Sequence, residues 1–518
     1  MNLVNSDKFF GSKKNSFFAA VALLFWILRI PQTIPRLDFD RGVYVSSAER
    51  LLAGDKLYSE IFETKDPIFI WQIAFGRMLS PLMDIVLENF WVLLASCSIY
   101  WLSRFHNFPT YISIFLGFII CPAIVTGINY YPGYSHLPGV AILFLIIAFL
   151  TNKSYFWSAL FTGLLFFLKI MLFPIAFMLI IYVQVFRGTK LSLFHLTIGG
   201  AIGIICPVLI LLSRGEFIPY LEMIMFNRAY VDEYLYPSWP KPFAHFLMTK
   251  TANSLFLICM VIVILVYAWF KTKSQLNTIF SGHKLKKLYS IVRFNSFQQF
   301  DDLIYTFITL VSSLSIIMLT GLWWHHNQIF AIPGICSFIL LVQIFSRFDD
   351  KHALFIVALL TILTLGVTGI NLERVSSSTM STKSSISELT SLSPEARALL
   401  QLGKASGYAR IGTNDDNGHA YGLRNWELTC RVFQIYPIYP RAMENFLKET
   451  LDCLPKAEVI IVSSEAQKWF EERVYGQGYW NEFVDQVDIL IENGFYCSEV
   501  FEVLRCLNKN IFEEADLS

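Results

Sequence analysis

Seven carboxylates lie in one short stretch of the sequence, residues 36–71, between two hydrophobic segments. They are Asp38, Asp40, Glu49, Asp55, Glu60, Glu63 and Asp66. Because bare charges are costly in hydrocarbon, this stretch must lie in water or line a polar cavity. A carboxylate at a membrane edge can act as a general base when a low-dielectric setting raises its pKa. Acid–base chemistry is therefore expected in this stretch.

The stretch has a recognisable order. Asp40, Gly42 and Tyr44 open it, an amphipathic helix is predicted over residues 41–53, and Gly54, Tyr58 and the Lys65–Asp66–Pro67 step follow. This order resembles the first external loop of the GT-C glycosyltransferases, in particular the bacterial protein-mannosyltransferase and aminoarabinose-transferase group. That loop typically reads Asp-Glu-x-x-Tyr, a helix, Gly, Tyr and Lys-Pro-Pro. Here Arg41 stands in place of the Glu, and Asp66 in place of the first Pro.

The resemblance implies an enzyme of the hexosyl- or pentosyltransferase type. Such an enzyme transfers a sugar from a polyprenyl-phosphate-linked donor to a lipid, glycan or protein acceptor at the outer face of the membrane. The reaction is an inverting direct displacement with a carboxylate base. Asp40 matches the carboxylate of the family's loop, and Asp38 is the nearby alternative. The competing interpretation of Asp40 is that it caps the helix that follows it.

The departing phosphate needs cations to stabilise its charge. Lys169 stands between two apolar runs, where an ionisable residue is expected to be functional, and the family has a Lys in a similar place. Its alternative role is snorkelling towards the membrane surface. Either His325 or His326 matches the family's external His, and both are candidates for contact with phosphate; Arg228 is a weaker candidate.

Composition indicates a membrane protein. The chain has 518 residues, 55% of them hydrophobic, with repeated apolar runs of spanning length. Residues 271–300 carry six cations and no acid, which places them in the cytoplasm. From this anchor we predict about eleven transmembrane helices, with the N-terminus inside and the C-terminus outside. Residues 67–80 are predicted to lie on the outer leaflet, and residues 155–186 to form two short helices broken at Lys169.

The predicted fold class is an α-helical polytopic membrane protein, GT-C-like, with a small C-terminal α/β extracytoplasmic domain. Residues 1–371 form the transmembrane domain, with an external loop at residues 36–81, and residues 372–393 form a Ser/Thr-rich linker. Residues 394–518 alternate helical patterns with strand-like runs at 408–412, 459–463 and 499–507, which favours an α/β domain. The expected location is the plasma (inner) membrane, with the active site outside.

The sequence says less about partners and cofactors than about the fold. Membrane lipids are expected around the chain, and no nucleic-acid partner is predicted. Two adjacent His residues are not a metal signature, because ligands on one helix face need a spacing of three or four residues. The sequence requires no cofactor and leaves a divalent metal open. The alternative functions are a polytopic transporter or lipid flippase, and a non-catalytic relative that binds glycan.

Four cysteines near the C-terminus are expected outside the membrane, where disulfides persist. They are Cys430, Cys453, Cys497 and Cys506. A fully extended strand would separate Cys497 from Cys506 by about 30 Å, which is beyond bonding range. Each is therefore expected to pair with Cys430 or Cys453, and the alternative is four free thiols.

Overall fold

The structure is a computed structural model. It describes residues 13–35, 40–127, 130–235, 297–320, 328–345, 394–402, 407–411, 427–431, 448–463, 485, 488–490, 492, 494–501 and 503–512. The α-helices are α1 Lys13–Arg29, α2 Asp40–Ala53, α3 Pro67–Leu79, α4 Met83–Phe105, α5 Thr110–Phe115, α6 Cys121–Val125, α7 His136–Thr151, α8 Tyr155–Leu168, α9 Phe173–Arg187, α10 Lys190–Ser213, α11 Phe217–Leu235, α12 Phe297–Thr320, α13 Ala331–Phe345 and α14 Pro394–Leu400. The strands are β1 Gly407–Ile411, β2 Glu427–Leu428, β3 Val459–Ser463, β4 Phe495–Val500 and β5 Val503–Asn508.

Several of these helices are apolar on their outward surfaces, which is typical of a membrane protein. Within the described residues, four helical segments are long and apolar enough to cross a membrane: Lys14–Thr33, Met83–Phe105, Ile170–Arg187 and Lys190–Ser213. Large apolar side chains such as Leu23, Val185 and Leu209 are 58–68% exposed on them. In water, such large apolar side chains would be buried in the protein core. Their exposure is compatible with a surrounding of lipid hydrocarbon. Two of the eleven predicted spans, at residues 251–270 and 353–370, lie outside the described residues.

The predicted break at Lys169 is confirmed. Helix α8 ends at Leu168, Lys169 has a non-helical backbone, a short 3₁₀ turn covers Ile170–Leu172, and α9 begins at Phe173. Pro174, in the first turn of α9, has no N–H to continue a longer helix through this point. The cation of Lys169 therefore lies where the helix is interrupted, between two apolar helices.

The chain divides into two compact units. The first comprises Met1–Thr33, Glu88–Ile205 and Ser238–Met380, and the second comprises Ile34–Leu87, Cys206–Pro237 and Ser381–Ser518. The second unit thus groups the acidic stretch with the C-terminal sequence. Helix α11, which belongs to this unit, lies within residues 213–250, where the sequence predicted only an external loop.

The C-terminal sequence of the second unit forms a five-stranded mixed sheet with the order β2-β1-β3-β5-β4. Strand β1 is parallel to β2 and β3, and β5 is antiparallel to β3 and β4. Ala398 and Leu399 of α14 pack with Tyr408, Ile461 and Leu507 of the sheet in its hydrophobic core. The strand-like runs predicted around β1 and β3 are therefore strands of one sheet.

The predicted single run at residues 499–507 is wrong. Strands β4 and β5 form an antiparallel hairpin that turns at Phe501, which has a φ of 51°. The hairpin places Cys497 directly opposite Cys506, with their Cα atoms 3.9 Å apart, and the two form a disulfide. Cys430 pairs with Cys453. The expected cross-pairing fails because it assumed that the chain between Cys497 and Cys506 is extended.

Candidate functional site

The helix expected after the acidic opening of the loop is present. It is α2, and Asp40 is its first residue. Asp38 and the side chain of Asp40 lie outside the described residues, so their assignment as base remains a prediction. Val43, Tyr44 and Ala48 are fully buried on the inner face of α2. The helix is therefore fixed by packing, and it sets the backbone position of Asp40.

Arg41, the residue after Asp40, belongs to a buried ion-pair network in the second unit. Its Nη2 atom lies 2.8 Å from Asp84 Oδ1, and both side chains are almost fully buried. Arg77, in the last turn of α3, approaches Asp84 Oδ2 at 3.2 Å and Glu49 Oε1 at 3.9 Å. Asp84 lies in the first turn of α4, where a helix N-terminus favours negative charge. Two cations and two carboxylates thus join α2, α3 and the start of α4.

Glu63 is a fully buried carboxylate that the sequence did not single out. Ser47 of α2 donates to its Oε2 at 2.7 Å. The backbone N–H groups of Thr64 and Lys65 donate to its Oε1 at 2.8 and 3.0 Å. Burial raises the pKa of Glu63, and the hydrogen bond from Ser47 opposes that rise. Glu63 therefore fixes the end of the loop against α2.

The Lys65–Asp66–Pro67 step leads directly into α3, whose first residue is Pro67. The ammonium of Lys65 lies 5.4 Å from the centre of the Tyr44 ring, within cation–π range. The Tyr58 hydroxyl donates to the Lys65 carbonyl at 2.7 Å, and the Tyr220 hydroxyl donates to Asp66 Oδ1 at 3.0 Å. Burial raises the pKa of both Tyr58 and Tyr220, so both phenols remain protonated donors.

Helix α11 and the residues before it support the loop from another side. Glu216 Oε1 accepts hydrogen bonds from the Leu57 N–H at 2.9 Å and from Arg214 Nε at 2.7 Å. Asn227 donates to the Thr64 carbonyl at 2.9 Å. Arg228, the next residue, has an exposed side chain. The weaker phosphate candidate therefore lies on a helix that holds the loop in place.

The C-terminal sequence also contacts the loop within the second unit. The guanidinium of Arg50 donates to the Cys430 carbonyl at 3.4 Å, and the Phe62 N–H donates to the Arg431 carbonyl at 3.1 Å. A cavity of about 490 Å³ adjoins this contact. It is lined by Thr429, Cys430, Arg431, Lys448, Glu449, Asp452, Cys453 and Lys456. The Cys430–Cys453 disulfide thus connects two segments that line the cavity, residues 429–431, which contact the loop, and residues 448–456.

Lys169, in the first unit, is buried and 7% exposed. Its Nζ donates to Ser135 Oγ at 2.7 Å, at the start of α7. Gly139 of α7 permits this approach, because a Cβ there would lie 2.7 Å from Leu172 Cδ1 and 3.0 Å from Lys169 Cβ. The Lys169 side chain is therefore directed into the protein towards Ser135, and does not extend to the surface as snorkelling would require.

The segment between α6 and α7 holds a second buried cation at its other end. Arg29, the last residue of α1, donates through Nη2 to Thr126 Oγ1. The Tyr130 hydroxyl donates to Glu88 Oε1 at 2.6 Å, and burial next to Glu88 raises the pKa of Tyr130. Gln328 donates to the Val125 carbonyl at 2.7 Å. One cation therefore binds each end of this segment, at Thr126 and at Ser135.

His325 and His326 lie outside the described residues, and Gln328 is the nearest described position. Among the described residues, no group of three or more His, Cys, Asp or Glu side chains is arranged to hold a metal ion.

No protein-family model matches the chain, and no curated protein matches it. Among solved structures, it is similar to the crystal structure of ArnT from Cupriavidus metallidurans bound to undecaprenyl phosphate. The two share 12% sequence identity with a TM-score of 0.47, and the similarity covers 95% of this chain and 97% of that one.

Proposed function

We propose that the chain is a membrane glycosyltransferase that transfers a sugar from a polyprenyl-phosphate donor to an acceptor at the outer face of the membrane. The supporting observation is how residues 40–67 fold. Helix α2 begins at Asp40, Arg41 is locked to Asp84, and the Lys65–Asp66–Pro67 step opens α3. The resemblance of the loop predicts a helix after Asp40 and the Lys65–Asp66–Pro67 step into the next element, and the Arg41–Asp84 pair is a feature of this chain.

The proposed reaction is a single displacement. The acceptor oxygen attacks the anomeric carbon, and the bond from that carbon to the phosphate oxygen breaks, with its electron pair leaving on the phosphate. Asp40 takes the proton of an attacking hydroxyl, and Asp38 is the alternative base. The configuration at the anomeric carbon inverts. The ion pair of Arg41 with Asp84 holds the first turn of α2, where Asp40 begins the helix, and a fixed position of the catalytic group favours such catalysis.

Lys169 is the first group proposed to stabilise the leaving phosphate, and His325, His326 and Arg228 are further candidates. The burial of Lys169 supports this role, because an ammonium attracts phosphate more strongly in a low-dielectric site than in water. The proposal also places residues 1–371 in the inner membrane and residues 394–518 outside it, joined by the linker at 372–393.

Deletion of the gene provides the test. Lipid and glycan extracts of the host with and without the gene should differ by one missing glycosylated product. Wild-type protein should restore that product, and an Asp40→Asn variant expressed at the same level should not. A flippase would instead leave the covalent products unchanged when purified protein, donor and acceptor are mixed in detergent. A relative that only binds glycan would retain glycan binding but form no product.

A further inference from the structure

The Cys430–Cys453 disulfide lies in the wall of a cavity, and its two cysteines differ in exposure. Both line the cavity of about 490 Å³ in the second unit. Pockets that bind small molecules are of this size, roughly 300–1,000 Å³. Cys430 is 1% exposed, whereas Cys453 is partly exposed. A dissolved thiol that enters the cavity therefore reaches the bond from the side of Cys453.

Charged side chains surround this bond. The described residues that line the cavity include three cations and two acids: Arg431, Lys448, Lys456, Glu449 and Asp452. Arg431 Nε lies 3.5 Å from Glu449 Oε1, and both Lys side chains are exposed. The excess of positive charge attracts a negatively charged molecule. Cations also stabilise a thiolate, so the same side chains favour a sulfur that leaves as a thiolate.

The bond joins two segments that are far apart in the sequence. Residues 429–431 lie on one side and the helical residues 448–453 on the other, and the two cysteines are 23 positions apart. The ion pair of Arg431 with Glu449 joins the same segments. Its side chains are 32% and 41% exposed, and such exposed pairs add little to stability. Once the disulfide opens, the two thiols can separate, and closing the long loop again costs entropy.

The Cys497–Cys506 disulfide is held in a different way. Its cysteines are 9 positions apart and lie directly opposite each other in the hairpin of β4 and β5. Strand β5 is also paired with β3 on its other side. Because these strands stay paired after reduction, the two thiols remain opposite each other and re-form their bond readily. Cys430–Cys453 is therefore the bridge that opens more easily, and Cys497–Cys506 is a control within the same molecule.

We propose that the Cys430–Cys453 disulfide is a thiol–disulfide exchange site for a small thiol that carries carboxylates. The thiolate of this molecule attacks Cys453 Sγ and forms a new S–S bond with it. The Cys430–Cys453 bond breaks, and its electron pair leaves on Cys430 Sγ as a thiolate, which the surrounding cations stabilise. The product is a mixed disulfide at Cys453 and a free thiol at Cys430. One disulfide replaces another, so the step needs no further oxidant or reductant.

Exchange at this bond also affects the acidic loop. Arg50 Nη1 donates to the Cys430 carbonyl at 3.4 Å, and the Phe62 N–H donates to the Arg431 carbonyl at 3.1 Å. The closed bridge restrains the segment that carries both carbonyls, so its opening loosens these two contacts. The inference does not rest on the proposed function, since neither the exchange nor the loosening requires a sugar donor.

The test uses the purified full-length chain in detergent, with both disulfides formed. Glutathione, a thiol with carboxylates, is compared with the uncharged 2-mercaptoethanol. Alkylation traps the free thiols, and mass spectrometry measures the opening rate of each bridge. The ratio of the glutathione rate to the 2-mercaptoethanol rate cancels the intrinsic reactivity of the two reagents. At Cys430–Cys453 this ratio should exceed that at Cys497–Cys506 about 3-fold to 10-fold, and high salt should reduce the difference.

Exposed lysines provide the variants, so folding is retained, which gel filtration and thermal unfolding check. The double variant Lys448→Gln/Lys456→Gln should lose the preference for glutathione and still react with 2-mercaptoethanol. Lys190→Gln is the matched control, because Lys190 is an exposed cation at the start of α10, and should react as wild type.

Three results would overturn the proposal. Equal rate ratios at the two bridges would reject recognition of the carboxylates. Glutathione attached to Cys430 and not to Cys453 would reject the direction of attack. Hydrogen exchange at the Phe62 N–H should become faster once glutathione has opened the bridge, and an unchanged rate would reject the effect on the loop.

Discussion

The guanidinium of Arg41 lies 2.8 Å from the carboxylate of Asp84, and neither side chain is more than 3% exposed. The contact joins the start of α2 to the first turn of α4 within the second unit. Arg41 is one of the two departures, with Asp66, from the loop pattern that the sequence resembles. The structure gives it a positioning role one residue from the proposed base.

Arg41→Gln should lower the free energy of unfolding by about 3–5 kcal/mol, because it leaves the Asp84 carboxylate buried with one cation fewer. Denaturant unfolding in detergent measures the loss. Asp55→Asn is the control, since Asp55 pairs with Arg50 nearer the surface and should cost about 0–1 kcal/mol. Equal losses in the two variants would contradict the network.

We expect the free energy of unfolding to depend on pH because of Glu63. Its pKa in the folded chain is raised above the ordinary value of 4.5, so above that pH the folded chain keeps a proton that the unfolded chain releases. The free energy of unfolding should therefore fall as pH rises from about 4.5, by at most about 1.4 kcal/mol per pH unit, until the folded pKa is passed.

Glu63→Gln removes this titration while keeping a side-chain oxygen for the Thr64 and Lys65 N–H groups. Its thermal midpoint should rise relative to wild type as the pH increases from 4.5 to 8. Paired thermal melts across that range provide the measurement. A difference that stays constant with pH would show that Glu63 titrates as an ordinary exposed acid.

Lys169→Ala should weaken donor-lipid binding more than acceptor binding, because the variant removes a buried cation at the break between α8 and α9. Titration of the donor and acceptor separately measures the two affinities. Ser135→Ala is the control, since it removes the hydrogen-bond partner of Lys169 and keeps the charge. Donor affinity that is unchanged in Lys169→Ala would leave Lys169 with a structural role alone.

The sequence predicted the local elements of this chain better than its long-range contacts. The α2 helix and the break at Lys169 depend on neighbouring residue types, such as the Pro174 that cannot continue a helix. Arg41 and Asp84 lie 43 positions apart in the sequence. No periodic pattern of residue types indicates that they form a pair. The burial of Glu63 was likewise hidden, because an acid in a polar stretch is usually solvated.

The hairpin of β4 and β5 shows the same limit. A short apolar run does not reveal whether the chain reverses within it, and Phe501 is not a residue that usually marks a turn. That reversal alone decides which cysteines pair. Helix α11 was missed for a related reason, since its polar and aromatic residues gave no apolar run of spanning length.

We expect the removal of each of the two disulfides to have a different effect on the loop. Replacing either pair by Ser should lower the free energy of unfolding by about 3 kcal/mol. Only the Cys430–Cys453 replacement should also speed hydrogen exchange at the Phe62 N–H, because that group donates to the Arg431 carbonyl beside the bridge. The Cys497–Cys506 replacement is the control. Equal exchange at Phe62 in both variants would contradict a positioning role for the first bridge.

We propose that the acidic loop carries the catalytic base. The direct measurement is the rate of sugar transfer by purified Asp40→Asn, compared with wild type and with Glu60→Gln, an exposed acid of the same loop whose carboxylate accepts the Lys56 N–H. All three proteins should have the same thermal midpoint. We expect Glu60→Gln to transfer sugar at the wild-type rate and Asp40→Asn to be slower by about 10²–10⁴-fold. Transfer by Asp40→Asn at the wild-type rate would contradict the assignment of Asp40 as the base.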